Sequence, residues 1–261
     1  MIELHDVTKS YATRQGRRYV FRDLNFRFPD GVSIGLMGGN GAGKSTLMRL
    51  IGGIDTPDSG EIRTDKRMSW PVGLSSGFQR DLSARENVEF VCRIHGATGP
   101  AMREKVAYVR AFADIGSWFE LPMSTYSKGM RARVAFGLSM AFDFDYYLID
   151  EAMAVGDPQF KRKSREAFAQ RMDGAHMILV SHNVNEIREY CDVIVLLEAG
   201  KATLYDDVEA GITAYEGTDG PALRGRRRER PDPDERAARR EAREQRRALL
   251  RTPPGDDTPA P

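Results

Sequence analysis

The sequence predicts a mixed α/β domain in which strands and helices alternate, interrupted by a helical insertion and followed by a charged tail. Three observations carry this. The apolar stretch VSIGLM (32–37) runs straight into GGNGAGKST and the apolar-periodic LMRLIGG, which gives strand, glycine-rich loop and helix. Two further apolar stretches, DYYLID (145–150) and MILVSH (177–182), read as buried strands with polar residues at their carboxyl ends. Between the first strand and these two, residues 84–142 are mostly helical in pattern.

The remaining elements follow in order. LNFRF (24–28) alternates apolar and polar residues, as a half-buried strand does. TPDSG (56–60) is a turn. VIVLLEAGKATLYD (193–206) is a hairpin centred on Ala199-Gly200. There is no internal repeat.

Composition bounds the function classes. With 261 residues, 41% hydrophobic and 30% charged, the chain buries a core as one large domain or two small ones. A net charge of +1 gives no global field that would argue for nucleic acid. Two cysteines, Cys92 and Cys191, exclude a disulfide framework and fit a reducing compartment. The N-terminal MIELHDVTKSY has no apolar signal core, and runs such as VIVLL (193–197) are too short to span a bilayer. The expectation is a soluble cytoplasmic chain that reaches a membrane through a partner.

Charge is unevenly spread. Residues 218–261 hold twelve arginines, no lysine and nine acidic residues, so the tail carries +3 and residues 1–217 carry −2. The tail is Pro-rich with almost no aliphatic residues, too little apolar surface to offset its ordering entropy. The folded domain is therefore expected to be 1–217. Within the tail, residues 234–251 have the pattern of a charged helix, with Glu235 and Arg239 spaced for an ion pair. Such a helix either lies on anionic lipid or is simply solvated, and the second reading is the simpler.

The clearest chemistry is at residues 38–45. Gly38, Gly39, Asn40, Gly41, Ala42, Gly43, Lys44 and Ser45 fit G-x-x-x-x-G-K-[ST]. Glycines let backbone N–H groups approach phosphate oxygens, and the helix that follows directs its positive end at them. Lys44 is the expected partner of the β- and γ-phosphates, Ser45 a Mg²⁺ ligand, and Thr46 an added α-phosphate contact. Strand and helix flank the loop as this chemistry requires, which an ordinary glycine-rich turn would not need. At the end of a second strand, Asp150 and Glu151 supply two carboxylates. Asp150 is expected to hold Mg²⁺ through water and Glu151 to polarise the attacking water. Two acids in that position also suit a plain helix cap. His182 ends the next strand, where a histidine either contacts a γ-phosphate or serves the fold.

The order of these motifs resembles the nucleotide-binding domain of ATP-binding cassette proteins, over residues 1 to about 217. The resemblance implies a P-loop NTPase core of that type with a β subdomain and an α-helical signature subdomain (about 82–142). It matches Tyr11, in KSY, to the adenine-stacking aromatic. It matches Gln79, in SGFQRDLSARENV, to the glutamine that senses Mg²⁺ and the attacking water. Asp157, in AVGD, matches the D-loop, and His182 the switch histidine. YSKGM (126–130) stands where the family has LSGGQ, a segment that covers the γ-phosphate of ATP held on a second domain. Ser127 and Gly129 keep the hydroxyl and close backbone N–H of that motif, while Lys128 and Met130 depart from it. The implied assembly is a homodimer with two ATP molecules between its chains.

The departures narrow the group. YSKGM followed by RARVAF, and DEAMAVGDPQF after the strand, resemble exporters of bacterial surface polysaccharide, which pair with an integral-membrane permease. MGGNGAGKSTLMRLIGG and ENVEFVCRIHG are most similar to the capsule group. The polar tail is too short for the sugar-binding sandwich that O-antigen exporters often add. The expectation is a peripheral ATPase on the cytoplasmic face of the inner membrane, using ATP and Mg²⁺. In LSARENVEFVCRIHG (82–96), Val88, Phe90, Val91 and Ile94 divide between core packing and a permease groove. An O-antigen or teichoic-acid exporter is the nearest alternative. A cassette acting on nucleic acid or ribosomes needs a coiled coil or a second cassette, and a small-molecule kinase leaves YSKGM unexplained.

Overall fold

The computed structural model describes residues 1–14, 16–72, 77–150, 157–172 and 174–218. Glu151 and nearly all of the arginine-rich tail, including the helical pattern at 234–251, lie outside the described residues.

Two sheets organise the described chain. In the first, β1 (Ile2–Thr13) pairs antiparallel with β2 (Gly16–Phe28) on one side and β4 (Ser59–Thr64) on the other. Asp6 and Asp23 adopt φ near 50° where the register slips. Each is held by a cross-strand side chain. The Asp6 N–H donates to Asn25 Oδ1 at 3.0 Å, and the Asp23 N–H to Thr8 Oγ1 at 3.0 Å. Such bulges bend and twist the ribbon.

The second sheet has the order β5-β6-β7-β3-β8-β9. It comprises β3 (Ile34–Met37), β5 (Met68–Pro71), β6 (Tyr146–Asp150), β7 (His176–Val180), β8 (Val193–Glu198) and β9 (Lys201–Tyr205). All neighbours run parallel except β8 and β9. That hairpin turns at Ala199-Gly200, with φ of 48° and 78°, where the sequence places it.

Both faces of the central strands are covered, which is why β3, β6, β7 and β8 read as near-continuous apolar runs. Leu36, Leu148, Ile178 and Val195 face one cluster, which also takes Phe21 and Phe28 of β2 and Leu47 and Met48 of α1 (Lys44–Ile51). Met37, Ile149, Leu179 and Leu196 face the other. That second cluster receives α2 (Ala84–Ile94), α3 (Gly99–Ala113), α4 (Lys128–Met140) and α5 (Pro158–Arg171). Its centre is aromatic. Phe112 stacks on Phe136 with centroids 5.6 Å apart, and Phe160 meets Phe112 edge-on at 5.6 Å. Burial of each such ring stabilises the fold by about 1.5–3 kcal/mol. Two further α-helices are α6 (Val184–Tyr190) and α7 (Val208–Thr218).

The sequence reading missed β1, β4, β5 and the first half of β2. TPDSG is only partly a turn. The Asp58 carboxylate accepts from the Ser10 N–H at 2.8 Å and its hydroxyl at 2.5 Å, which ties the segment to β1, and β4 begins one residue later.

Candidate nucleotide site

The parallel sheet brings the predicted chemistry to one edge. Strands β3, β6 and β7 run parallel in the order β6-β7-β3, so their carboxyl ends lie side by side. From them project the loop 38–43, Asp150 and the segment at Ser181-His182.

The loop is shaped for close approach. Gly38 and Gly43 have φ of 150° and 103°, a region that L side chains rarely adopt. A Cβ on Gly38 would stand 2.4 Å from the Leu197 carbonyl oxygen, and one on Gly43 would stand 2.6 Å from Phe21 and Val20. Gly43 is also the N-cap of α1, with no side-chain cap, so the first N–H groups of that helix are left for another acceptor. The Lys44 ammonium donates to the carbonyls of Gly38 at 2.5 Å and Gly39 at 3.1 Å, which places it inside the loop. Asn40, Gly41 and Ser45 are exposed, while Ala42 and Thr46 are half-buried. This backbone concavity, with a helix N-terminus and a cation within it, fits a polyphosphate. The oxygen donors Ser45 and Asp150, with the Gln79 amide, suit a hard cation that keeps part of its water shell.

Gln79 is positioned by a residue the sequence reading overlooked. Asn87 on α2 is buried. Its Oδ1 accepts from the Gln79 N–H at 2.8 Å, and its Nδ2 donates to the carbonyls of Gln79, Leu82 and Ser83 at 3.0, 3.3 and 2.8 Å. The helix is started by a reciprocal cap. The Ser83 Oγ accepts from the Glu86 N–H at 3.2 Å, and the Glu86 carboxylate accepts from the Ser83 N–H at 2.8 Å. The Ser83 N–H, and then the Ser83 hydroxyl donating to the same carboxylate at 2.7 Å, hold the Glu86 carboxyl below its usual range. The S-x-x-E spacing at 83–86 was a visible signal for this anchor.

Tyr11 is also fastened. Its hydroxyl donates to Asp55 at 2.9 Å, and the buried Lys9 donates to the same carboxylate at 2.7 Å. The Lys9 ammonium chiefly holds the Asp55 carboxyl low; burial opposes it, and the Tyr11 hydroxyl adds a smaller lowering. Tyr11 nevertheless stays 37% exposed, with the Lys9 ammonium 5.2 Å from its ring centroid.

Ser127 is the N-cap of α4, its Oγ accepting from the Met130 N–H at 3.1 Å, and it is exposed. A Cβ on Gly129 would meet only the Ser127 Oγ, at 3.8 Å. Asp157 caps α5 by accepting from the Phe160 N–H at 2.9 Å, and it is ion-paired with Arg133 of α4. His182 is exposed just beyond β7. It is flanked by a network in which the Ser181 hydroxyl donates to Glu186 at 2.6 Å and accepts from the Asn183 N–H at 3.0 Å. Phosphate loop, Asp150 and His182 thus share the sheet edge, whereas Ser127 and Gly129 head a helix of the insertion.

On α2, Val88 is fully buried and Val91 packs partly against the core. Phe90 and Ile94 are 46% and 64% exposed. Among the described residues no helix is long and apolar enough to cross a membrane.

Comparison with known proteins agrees with this geometry. The family described as ABC transporter matches residues 21–154. The polysialic acid transport ATP-binding protein KpsT of Escherichia coli is 50% identical over 216 residues, covering 82% of this chain and 96% of that one. The capsule polysaccharide export ATP-binding protein CtrD of Neisseria meningitidis serogroup B is 42% identical, over 82% and 98% of the two chains. The fold resembles that of the ATP-binding cassette MJ0796, a dimer solved with ADP and Pi. Its TM-score is 0.62 at 24% identity, over 77% of this chain and 96% of that one.

Proposed function

Because this chain belongs to the ABC transporter family, as one of its ATP-binding cassettes, we propose that it powers export of capsular polysaccharide across a bacterial inner membrane. The observation that carries this reading is identity of 50% to a polysialic acid transporter subunit along nearly that protein's whole length. On this reading the chain works as a homodimer on the cytoplasmic face, attached to integral-membrane permease subunits. The exposed Phe90 and Ile94 on α2, next to the segment that holds Gln79, are the apolar surface a permease helix would meet.

The residues then act as follows. Tyr11 stacks on the base, and the N–H groups of 38–46 and the Lys44 ammonium take the phosphates. Glu151 orients the attacking water, with Gln79 and His182 at the γ-phosphate end. Mg²⁺, held by Ser45, Gln79 and Asp150, would neutralise charge on the β- and γ-phosphates. Ser127 and Gly129 of the second chain cover the same γ-phosphate, with the positive end of α4 behind them, and Asp157 lies at the shared seam. Loss of the γ-phosphate removes the group that links Lys44 of one chain to Ser127 of the other, so the dimer opens.

The test is genetic and chemical together. A cell lacking this chain should lose surface capsule and retain polysaccharide inside, and wild-type protein but not Lys44→Ala should restore export. Normal surface capsule in the deletion strain would reject the assignment.

A further inference from the structure

Arg18 lies on β2 directly opposite Tyr11 of β1. Opposed residues of an antiparallel ladder project to the same face, so the guanidinium and the ring share one. That face is turned to the phosphate loop. A Cβ built on Gly41 comes within 3.7 Å of an Arg18 Nη, and two residues along the strand Val20 meets the Gly43 position at 2.6 Å.

The neighbouring polar groups are committed elsewhere. Lys9 is bound to Asp55 and Thr56, Tyr11 to Asp55, and Lys44 to two loop carbonyls. Arg18 is exposed and forms no hydrogen bond or ion pair with a described residue. Two cations and the positive end of α1 therefore converge on one loop. Such convergence is repulsive by itself and favourable once a polyanion lies among them.

We propose that Arg18 is a further nucleotide-binding residue, whose guanidinium takes phosphate oxygens on the Tyr11 side of the loop. The inference rests on reading that loop as an ATP site. Since Arg18 lies between the ring that would stack on the base and a loop glycine, its charge falls on the α- and β-phosphates, which ATP and ADP share. A guanidinium also spans two phosphate oxygens at once, which an ammonium does not.

The experiment is equilibrium binding of ATP and of ADP to the full chain, wild type against Arg18→Ala and Arg18→Lys. Arg18→Ala is expected to raise both dissociation constants by about tenfold and by the same factor, as for loss of a charged hydrogen bond. The loss should shrink as salt rises, and Arg18→Lys should retain part of the affinity. The nucleotide-free melting temperature should not move, because Arg18 supports no described contact. Unchanged affinity in Arg18→Ala overturns the proposal, as does a loss for ATP alone or a loss matched by a fall in melting temperature. A wild-type chain that bound neither nucleotide would instead overturn the ATP-site reading itself, a separate and recognisable result.

Discussion

Arg133 of α4 is ion-paired with Asp157, the residue that caps α5. The pair yokes the helix headed by Ser127 to the helix that follows β6 in the chain. Arg133 also lies over the Phe160 ring at 4.8 Å, so the contact is partly packing. The Phe160 N–H and then Arg133 hold the Asp157 carboxyl below its ordinary value of 3.8. A carboxyl lowered by folding stabilises fully above that value and loses its contribution as pH falls through the lower folded value. Asp157→Asn keeps a capping acceptor and deletes the charge, whereas Asp157→Ala deletes both. Melting temperatures at pH 7 should therefore fall in the order wild type, Asn, Ala. The gap between wild type and Asn should close below pH 3.8 and narrow in high salt. A gap that persisted at low pH would show that the ion pair is not its source.

Lys44→Ala removes the ammonium that sits inside the phosphate loop. Two loop carbonyls, of the buried Gly38 and the half-buried Gly39, lose a donor, but no side chain of either core cluster is touched, so the fold should survive. ATP hydrolysis should drop to background while circular dichroism stays unchanged. Turnover near that of wild type would refute the site.

Glu151→Gln keeps the shape of the side chain and deletes the charge proposed to polarise water. ATP should stay bound and a dimer should accumulate with ATP and Mg²⁺, measured by sizing. A composite site adds a complementation test. Lys44→Ala and Ser127→Arg should each be inactive alone, whereas a mixed dimer can gather both defects into one site and leave the other whole. Partial recovery of hydrolysis on mixing is expected, and none at any ratio would argue that the Ser127 segment serves its own chain.

Asn87→Ala removes the acceptor of the Gln79 N–H, breaks three further bonds to the same turn and empties a buried side-chain position. The expected cost is about 1–3 kcal/mol in urea unfolding. Turnover at saturating ATP should fall more than nucleotide affinity, because Gln79 rather than the phosphate loop is displaced. Equal losses in both would mean that Asn87 supports the whole site.

Legibility in the sequence followed the range of the forces involved. The phosphate loop was readable because its backbone demands glycines at fixed spacing. The sheet strands were readable because burial on both faces leaves only apolar residues, as in YLI (147–149). β1 and β2 were obscured by bulges at Asp6 and Asp23, which break the two-residue period. Asn87, Arg133 and the Lys9–Asp55 anchor were invisible because each acts on a residue brought near only by folding. The S-x-x-E cap hinted at the first of these. Glu151 was read from sequence and lies beyond the described residues.

Ala199 offers a test away from the site. It takes a φ of 48° at the hairpin turn, where an L residue without a local hydrogen bond is disfavoured by about 1–2 kcal/mol. Asparagine tolerates that conformation and suits the paired positive-φ turn. Ala199→Asn should therefore raise thermal stability by roughly 0.5–1 kcal/mol with unchanged hydrolysis. A decrease would mean that the turn has relaxed to another conformation.

The strand that delivers the phosphate loop has a consequence for biosynthesis. β1, β2 and β4 find all their partners within the first quarter of the chain. β3 lies among them in sequence, yet Ile34 pairs with Ile178 on one side and Val193 on the other. A nascent chain therefore carries its nucleotide loop on an apolar strand that has no partner until β7 is translated and keeps one open side until translation has passed β8. Ligand cannot rescue the polypeptide during that interval, since the scaffold that aims the loop is still inside the ribosome. The protein is thus committed to finishing its most distant strand pairings before ATP can stabilise it, and long-range pairing of this kind is slow and exposed to aggregation.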